Sequence, residues 1–251
     1  MTEDRTAIVT GSGSARGIGR ATCLQLAADG WQVAALDIDG DGARETAELA
    51  AGEHGVQALG VACDVAREDD VERAIAELEA GLPPVGALVN NAGISAPTPF
   101  LEIEPPEWDR MFEVNVRGTY LVTRRVAPGM VERGHGRIVM LSSVSAIRGG
   151  GIFGASHYSA SKAALLGLAR AIARELGPHG VTCNAIAPGL IDTDIAAGKM
   201  TPERRTEVLA DVPVGRLGGT EDVAALIAYL VSDAGYLTGA TVDLHGGSHI
   251  H

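Results

Sequence analysis

The 251-residue sequence has only three cysteines, no excess of positive charge and no long apolar run. Each shortage excludes a class of protein. Cys23, Cys63 and Cys183 are an odd count at wide spacing, each among apolar neighbours. That pattern suits neither a disulfide framework nor a zinc site, and predicts buried free thiols in a reducing, cytoplasmic setting. Lys and Arg number 20 against 32 Asp and Glu, for a net charge of −12. A chain this acidic has no electrostatic footprint for nucleic acid or an anionic membrane. No window reaches the ~18 consecutive apolar residues that mark a membrane-spanning helix. Met1 to Arg5 is polar and acidic, and Ile8-Val9 is too short for a signal-peptide core.

Glycine is abundant, at 33 residues, roughly twice ordinary usage. No Gly-x-y period accompanies it, so collagen is excluded. Hydrophobic residues make up 46%, enough for a full core at a length where α/β folds often form one domain.

Short β-branched runs alternate with longer helical stretches. Strands are expected at Thr6 to Thr10, Gln32 to Leu36, Val56 to Val61, Ala87 to Val89, Arg137 to Leu141, Val181 to Ile186 and Thr241 to Leu244. Helices are expected at Ile18 to Asp29, Gly42 to Glu53, Arg67 to Glu79, Pro106 to Glu132, Ser156 to Leu176 and Glu221 to Val231. Residues 190 to 213 lose clear periodicity and read as a mobile excursion with short helices. Parallel strands need crossovers, and these helices supply them. The pattern predicts one Rossmann-like α/β domain over residues 1–251. Its doubly wound parallel sheet has about seven strands, with helices on both faces.

The stretch Thr10-Gly11-Ser12-Gly13-Ser14-Ala15-Arg16-Gly17-Ile18-Gly19 joins the first strand to the first helix. Glycines there let the backbone turn tightly and approach a pyrophosphate. The helix N-terminus behind them offers free N–H groups and a positive dipole end. A glycine-rich turn alone is weak, since many loops have one. Asp37 ends the second strand, where a carboxylate can accept from both hydroxyls of an adenosine ribose. Asp64-Val65 and Asn90-Asn91-Ala92-Gly93 follow the third and fourth strands, where ligands bind in open α/β sheets. Asn90-Asn91 is equally readable as a plain turn.

Tyr158 and Lys162 lie four apart on one helix face. A nearby ammonium favours the phenolate, so the pair can exchange a proton with an alcohol or ketone. Ser142-Ser143 ends the fifth strand and can polarise the same oxygen. Taken alone, a Tyr and Lys at this spacing is an ordinary solvated helix face. The case rests on its conjunction with a nucleotide groove.

With these motifs in this order, the sequence resembles the short-chain dehydrogenase/reductase family over nearly its whole length. The matching pieces include Gly11 to Gly19, Asp64-Val65, Asn91 to Gly93, Asn115, Ser143, Tyr158 to Lys162 and Asn184 to Gly189. The resemblance implies that Tyr158 is the general acid/base and that Lys162 holds the nicotinamide ribose. Ser143 would bind the substrate oxygen, and Asn115 would support a water linking Lys162 to solvent. Cofactor contacts would come from Gly11, Ser12, Arg16, Gly17, Ile18, Gly19, Asp37 and Ile38. Asp64, Val65, Asn91, Ala92 and Gly93 would flank the adenosine. Pro188, Gly189 and Ile191 would also bind the cofactor, Thr193 would hold its carboxamide, and residues 190–213 would form a substrate lid.

The sequence departs from the family in two places. Five residues separate Gly11 from Gly17 where three are usual, with the extra pair placed within Ser12 to Ala15. A register starting at Gly13 is the alternative. Ser145, not Ser143, has the usual spacing of 13 residues before Tyr158. Ser143 is retained because it matches the strand end, and Gly149-Gly150-Gly151 then absorbs two inserted residues beside the substrate.

The expected activity is hydride transfer between NAD(H) and a secondary alcohol or ketone, by a homotetramer. Asp37 opposes the 2′-phosphate of NADP, while Arg16 is where NADP-dependent relatives can hold it. An NADPH-dependent 3-ketoacyl-type reductase is one alternative, and a catalytically silent nucleotide-binding protein on the same fold is another. His157, Trp31 and Trp108 read as packing residues. No metal is expected from His245, His249 and His251.

Overall fold

The structure, a computed structural model, describes residues 5–151, 154–194, 202–233 and 236–250. The first half runs β1 (Thr6–Thr10), α1 (Ile18–Ala28), β2 (Gln32–Asp37), α2 (Gly40–His54), β3 (Ala58–Ala62), α3 (Glu68–Gly81) and β4 (Val85–Asn90). The second half runs α4 (Pro105–Phe112), a π-helical stretch (Glu113–Gly118), α5 (Thr119–Glu132), β5 (Gly136–Leu141), α6 (Ser145–Arg148), α7 (Ser156–Leu176), β6 (Val181–Pro188), α8 (Pro202–Ala210), α9 (Thr220–Val231) and β7 (Thr241–Leu244).

All seven strands are parallel, in the order β3-β2-β1-β4-β5-β6-β7. β1, β4 and β5 are buried at every residue. Their sequences therefore run apolar without alternation, because helices cover both faces. Ile8, Leu88 and Ile138 pack with Val71 and Ile75 of α3, Val122 of α5 and Leu165 of α7. Val9, Val89 and Val139 face the opposite way, onto Leu26 of α1, Ala47 of α2 and Ile227 of α9. The strand order reverses between β1 and β4. Crossovers leave in opposite directions there, and a crevice opens at the carboxyl ends of the strands.

The predicted helical stretch over 106–132 is helical throughout, but it is not one uniform α-helix. Pro105–Phe112 and Thr119–Glu132 are separated by the π-helical stretch, which places Asn115 fully inside the protein. Such wide turns sit where one side chain has to point inward, often at functional sites. β3 begins two residues later than predicted, and β2 runs on to include Asp37. Of the predicted excursion over 190–213, residues 202–210 form α8, while residues 195–201 lie outside the described residues.

Candidate active site

A cleft of about 380 Å³ runs along the carboxyl ends of the central strands. One end is the glycine turn. Gly11 has φ +69°, and a Cβ there would lie 2.8 Å from the Ala92 Cα. Gly13 has no positive φ, so Gly11 is the tight-turn glycine. A Cβ on Gly19 would lie 2.2 Å from the Gly11 carbonyl oxygen, so α1 starts against the turn itself. The lengthened part of the turn is tied down. Gly13 N donates to Asp37 Oδ2 at 2.7 Å, and Arg20 donates to the Gly13 carbonyl at 3.3 Å. Asp39 N donates to Asp37 Oδ1 at 2.9 Å. Each carboxylate oxygen still has a free lone pair, so Asp37 can hold the turn and also accept from a diol.

The middle of the cleft is the segment after β4. Thr10 Oγ1 accepts from the N–H groups of Asn91 and Ala92, both at 3.0 Å. Asn91 Nδ2 returns bonds to the carbonyls of Thr10 and Gly11 at 2.9 and 2.8 Å. The two strand ends are thus stitched side by side. Asn115 Oδ1 accepts from Ile94 N at 2.8 Å, and its Nδ2 donates to Ile94 O and to Ser161 Oγ, both at 3.0 Å. A Cβ on Gly93 would lie 3.1 Å from Asn115 Oδ1 and 3.2 Å from Lys162 Nζ. A larger residue there would press on the Asn115 amide and the Lys162 ammonium.

Ser143, Tyr158 and Lys162 line the other end. Ser143 follows β5, and its Oγ also accepts from Ser145 N at 3.1 Å. Burial raises the Tyr158 phenol above its ordinary value, while a hydrogen bond with Ser143 pulls the other way. Burial pushes Lys162 down to about 8. Its Nζ donates to the Leu141 carbonyl at 2.7 Å and stands 5.9 Å over the Tyr158 ring. The expected lowering of Tyr158 by the Lys162 charge is not what the site shows: burial sets the direction, and what opposes it comes from Ser143. An ammonium has three donors, so two remain for the cleft.

The stem leaving β6 closes one side. Pro188, Gly189, Ile191 and Thr193 line the cleft, with Leu190 and Asp194. Asp194 Oδ2 accepts from Ser14 Oγ at 2.7 Å and from Arg16 N at 3.3 Å. Those bonds hold its carboxyl below the usual range. The Arg16 guanidinium pairs with Asp192 at 2.9 Å.

The cleft wall takes in Gly11, Gly17, Ile18, Asp37 and Asn91 to Gly93 as the sequence predicted. Other expected contacts are not on it. Ser12 is fully buried, donating to the Leu36 carbonyl. Gly19 lies beneath Gly11, and Ile38 is exposed at 68% beyond the strand end. Asp64 caps its own turn through Ala66 N at 3.0 Å, and Val65 packs against Gly118. Asn115 supports the cleft from behind. Sequence reasoning missed Ser14, Ile94, Ser95 and Arg148 as lining residues; Ser145, weighed by its spacing, and Asp194, within the expected lid, line the cleft as well. Their nearness to the motifs was the available signal, but loop direction is set by distant contacts. His245 and His249 meet edge to face, with ring centroids 6.3 Å apart, and His251 lies outside the described residues. No cluster of three His, Cys, Asp or Glu side chains fit for a metal occurs among the described residues.

A parallel seven-stranded sheet, a glycine turn at its switch point and a Ser-Tyr-Lys set across the cleft define a nicotinamide-dependent oxidoreductase class. The chain belongs to the short-chain dehydrogenase/reductase family. A family profile described as enoyl-(acyl carrier protein) reductase matches residues 11–249. An uncharacterized short-chain type dehydrogenase/reductase of Sinorhizobium fredii is 43% identical, over 100% of both chains. The (3R)-3-hydroxyacyl-CoA dehydrogenase of Mus musculus is 40% identical, over 96% of this chain and 95% of that protein. A crystal structure of a 3-oxoacyl-[acyl-carrier protein] reductase with bound NAD, from Brucella melitensis, superposes with a TM-score of 0.88. It is 36% identical and covers 98% of this chain and 91% of that one. The protein is thus an oxidoreductase of a family that uses NAD or NADP.

Proposed function

We propose that this enzyme moves hydride between a secondary alcohol or ketone and NAD(H), with Tyr158 as the general acid/base. The observation that carries the reading is the convergence of Ser143, Tyr158 and Lys162 on one cleft that ends at Asp37. The residues fit a dinucleotide. Gly11 leaves the backbone open to a pyrophosphate, the α1 N-terminus favours an anion, and Asp37 has capacity for a ribose diol. When bound, the nicotinamide supplies or takes the hydride.

The chain's own groups handle the proton. Burial keeps Tyr158 protonated, ready to donate to a ketone oxygen. In the oxidative direction it has to lose that proton first, so oxidation speeds up as pH rises through its titration. While it carries its proton, Lys162 would favour the phenolate, and its remaining donors would hold the ribose. Ser143 hydrogen-bonds the same substrate oxygen. Asn115 holds Ile94 and Ser161 in place and keeps the wall beside Lys162 aligned.

NAD rather than NADP is supported by two carboxylates. A 2′-phosphate at Asp37 would bring about two negative charges against it. Arg16, the cation able to offset them, is paired with Asp192. On one substrate, kcat/KM should favour NAD⁺, and Asp37→Ala should narrow that preference. A native preference for NADP⁺ refutes the assignment.

A 3-ketoacyl-type reductase is the second reading, favoured by the activities named for the mouse and Brucella relatives. Turnover of 3-ketoacyl thioesters against simple ketones separates the two. A homotetramer is supported by apolar surface on two sides: Phe100, Leu101 and Trp108 near α4, and Tyr229 of α9 with Tyr236 before β7. A reducing, cytoplasmic setting is supported by Cys23, Cys63 and Cys183. All three are free and buried, with burial pushing each thiol up to about 12.

A further inference from the structure

We infer that Arg148 binds an anionic group of the substrate, so that the reacting alcohol or ketone also carries a carboxylate or a phosphate. The inference rests on the oxidoreductase reading above and specifies its substrate. Arg148 ends α6, five residues beyond Ser143, and lines the cleft at its exposed mouth. A Cβ on Gly151 would lie 3.1 Å from Ser145 Oγ and 3.9 Å from Arg148 Nη2. A Cβ on Gly154 would lie 2.1 Å from Tyr158 Cδ1. The guanidinium and the Ser145 hydroxyl thus flank Gly151, the Tyr158 ring flanks Gly154, and all of them line the same cleft.

The turn carrying Arg148 is braced. Gly149 and Gly150 adopt φ +75° and +74°, and Gly150 N donates to Ser159 Oγ of α7 at 2.8 Å. This is the inserted glycine run, so the brace belongs to this chain's own departure from the family spacing.

The other charges of the cleft are engaged. Asp37 accepts from Gly13 and Asp39 at the far end. Asp194 is held by Ser14 and Arg16 N, and Lys162 is buried on the Leu141 carbonyl. Arg16, Arg110, Arg125 and Arg216 pair with carboxylates. Arg67, Arg170 and Arg174 are among those that do not, but of the unpaired arginines only Arg148 lines the cleft among the described residues. Arg148 has no carboxylate within ion-pair distance among the described residues. A guanidinium left unpaired at a cleft mouth attracts anions and can grip a carboxylate or phosphate with two parallel bonds. The anion has two sources, a carboxylate on the substrate itself or a phosphate on a carrier thioester.

Two substrate pairs test this with NAD⁺ and purified protein. One pair is 3-hydroxybutyrate and 3-hydroxybutyramide. The other is the 3-hydroxybutyryl thioester of coenzyme A and that of N-acetylcysteamine. Each is assayed with the native protein, Arg148→Met and Arg148→Lys. In Arg148→Met the anionic-to-neutral ratio of kcat/KM should fall about tenfold or more in one pair, mainly through KM. Arg148→Lys should restore part of it. The responding pair identifies the anion. Unchanged ratios in Arg148→Met, or a native protein that prefers neutral alcohols, overturn the inference while leaving the oxidoreductase reading intact. No turnover of any alcohol, with no NADH binding, overturns that reading, and this inference falls with it.

Discussion

At Tyr158 and Lys162, burial sets the chemistry. Tyr158→Phe removes one hydroxyl from a packed ring, so turnover should drop by ~10²–10⁴-fold. NADH fluorescence should still report binding. A variant keeping more than about a tenth of native kcat is incompatible with a general acid/base role. Lys162 makes a second prediction, with its sign set by burial. Its folded value of about 8 lies below the ordinary lysine value of 10.5, so the unfolded chain binds the proton more tightly. Below pH 8 the native state carries the full cost of the buried ammonium. Between about 8 and 10.5 that cost shrinks as pH rises. At pH 7 it amounts to roughly 3 kcal/mol. Lys162→Met should therefore melt higher than the native protein at pH 7, with a smaller gap at pH 9, while losing activity. A variant that melts lower at pH 7 counts against a strained lysine.

The element scale concerns how the glycine turn meets the stem after β6. Asp194 puts a carboxylate on Ser14 Oγ and Arg16 N, beside the helix N-terminus that favours an anion. A pyrophosphate arriving there competes with it. Asp194→Ala should tighten NADH binding between about two- and fivefold, the range of an exposed charge contact. A fluorescence titration at constant ionic strength measures this, and weaker binding would show that Asp194 supports the site instead. The same scale shows where sequence periodicity stops being informative. The strands and most helices were legible because apolar residues recur at the right spacing. The π-helical stretch was not, since one extra residue per turn leaves no clear mark in a pattern that is amphipathic on both sides of it. Asn115 was marked by resemblance, but its bonds to Ile94 and Ser161 depend on that wide turn.

Across the whole molecule, two apolar surfaces stand out on an acidic chain. Leu101 is 94% exposed and Phe100 70%, with Tyr120 on the neighbouring α5. On the other side Tyr229 and Tyr236 are exposed. Patches of this kind mark association surfaces, and two independent ones suit a tetramer better than a dimer. Sedimentation at micromolar concentration should give four times the chain mass. Phe100→Glu with Leu101→Glu should reduce it to the dimer, and a native monomer would refute the assembly.

The sequence by itself determined the alternation of strands and helices, the parallel sheet and the order of the chemical motifs. These follow from local spacing, which is written in neighbouring residues. It also placed Asp37, Tyr158 and Lys162 on strand and helix ends that any doubly wound sheet turns toward one edge. Tertiary structure alone decided which glycine makes the tight turn, because that depends on Ala92, which lies across the β1–β4 switch point. It alone paired Arg16 with Asp192 and left Arg148 without a carboxylate among the described residues. It also set the direction of the Tyr158 shift, since desolvation depends on everything packed around the ring rather than on the lysine four residues on.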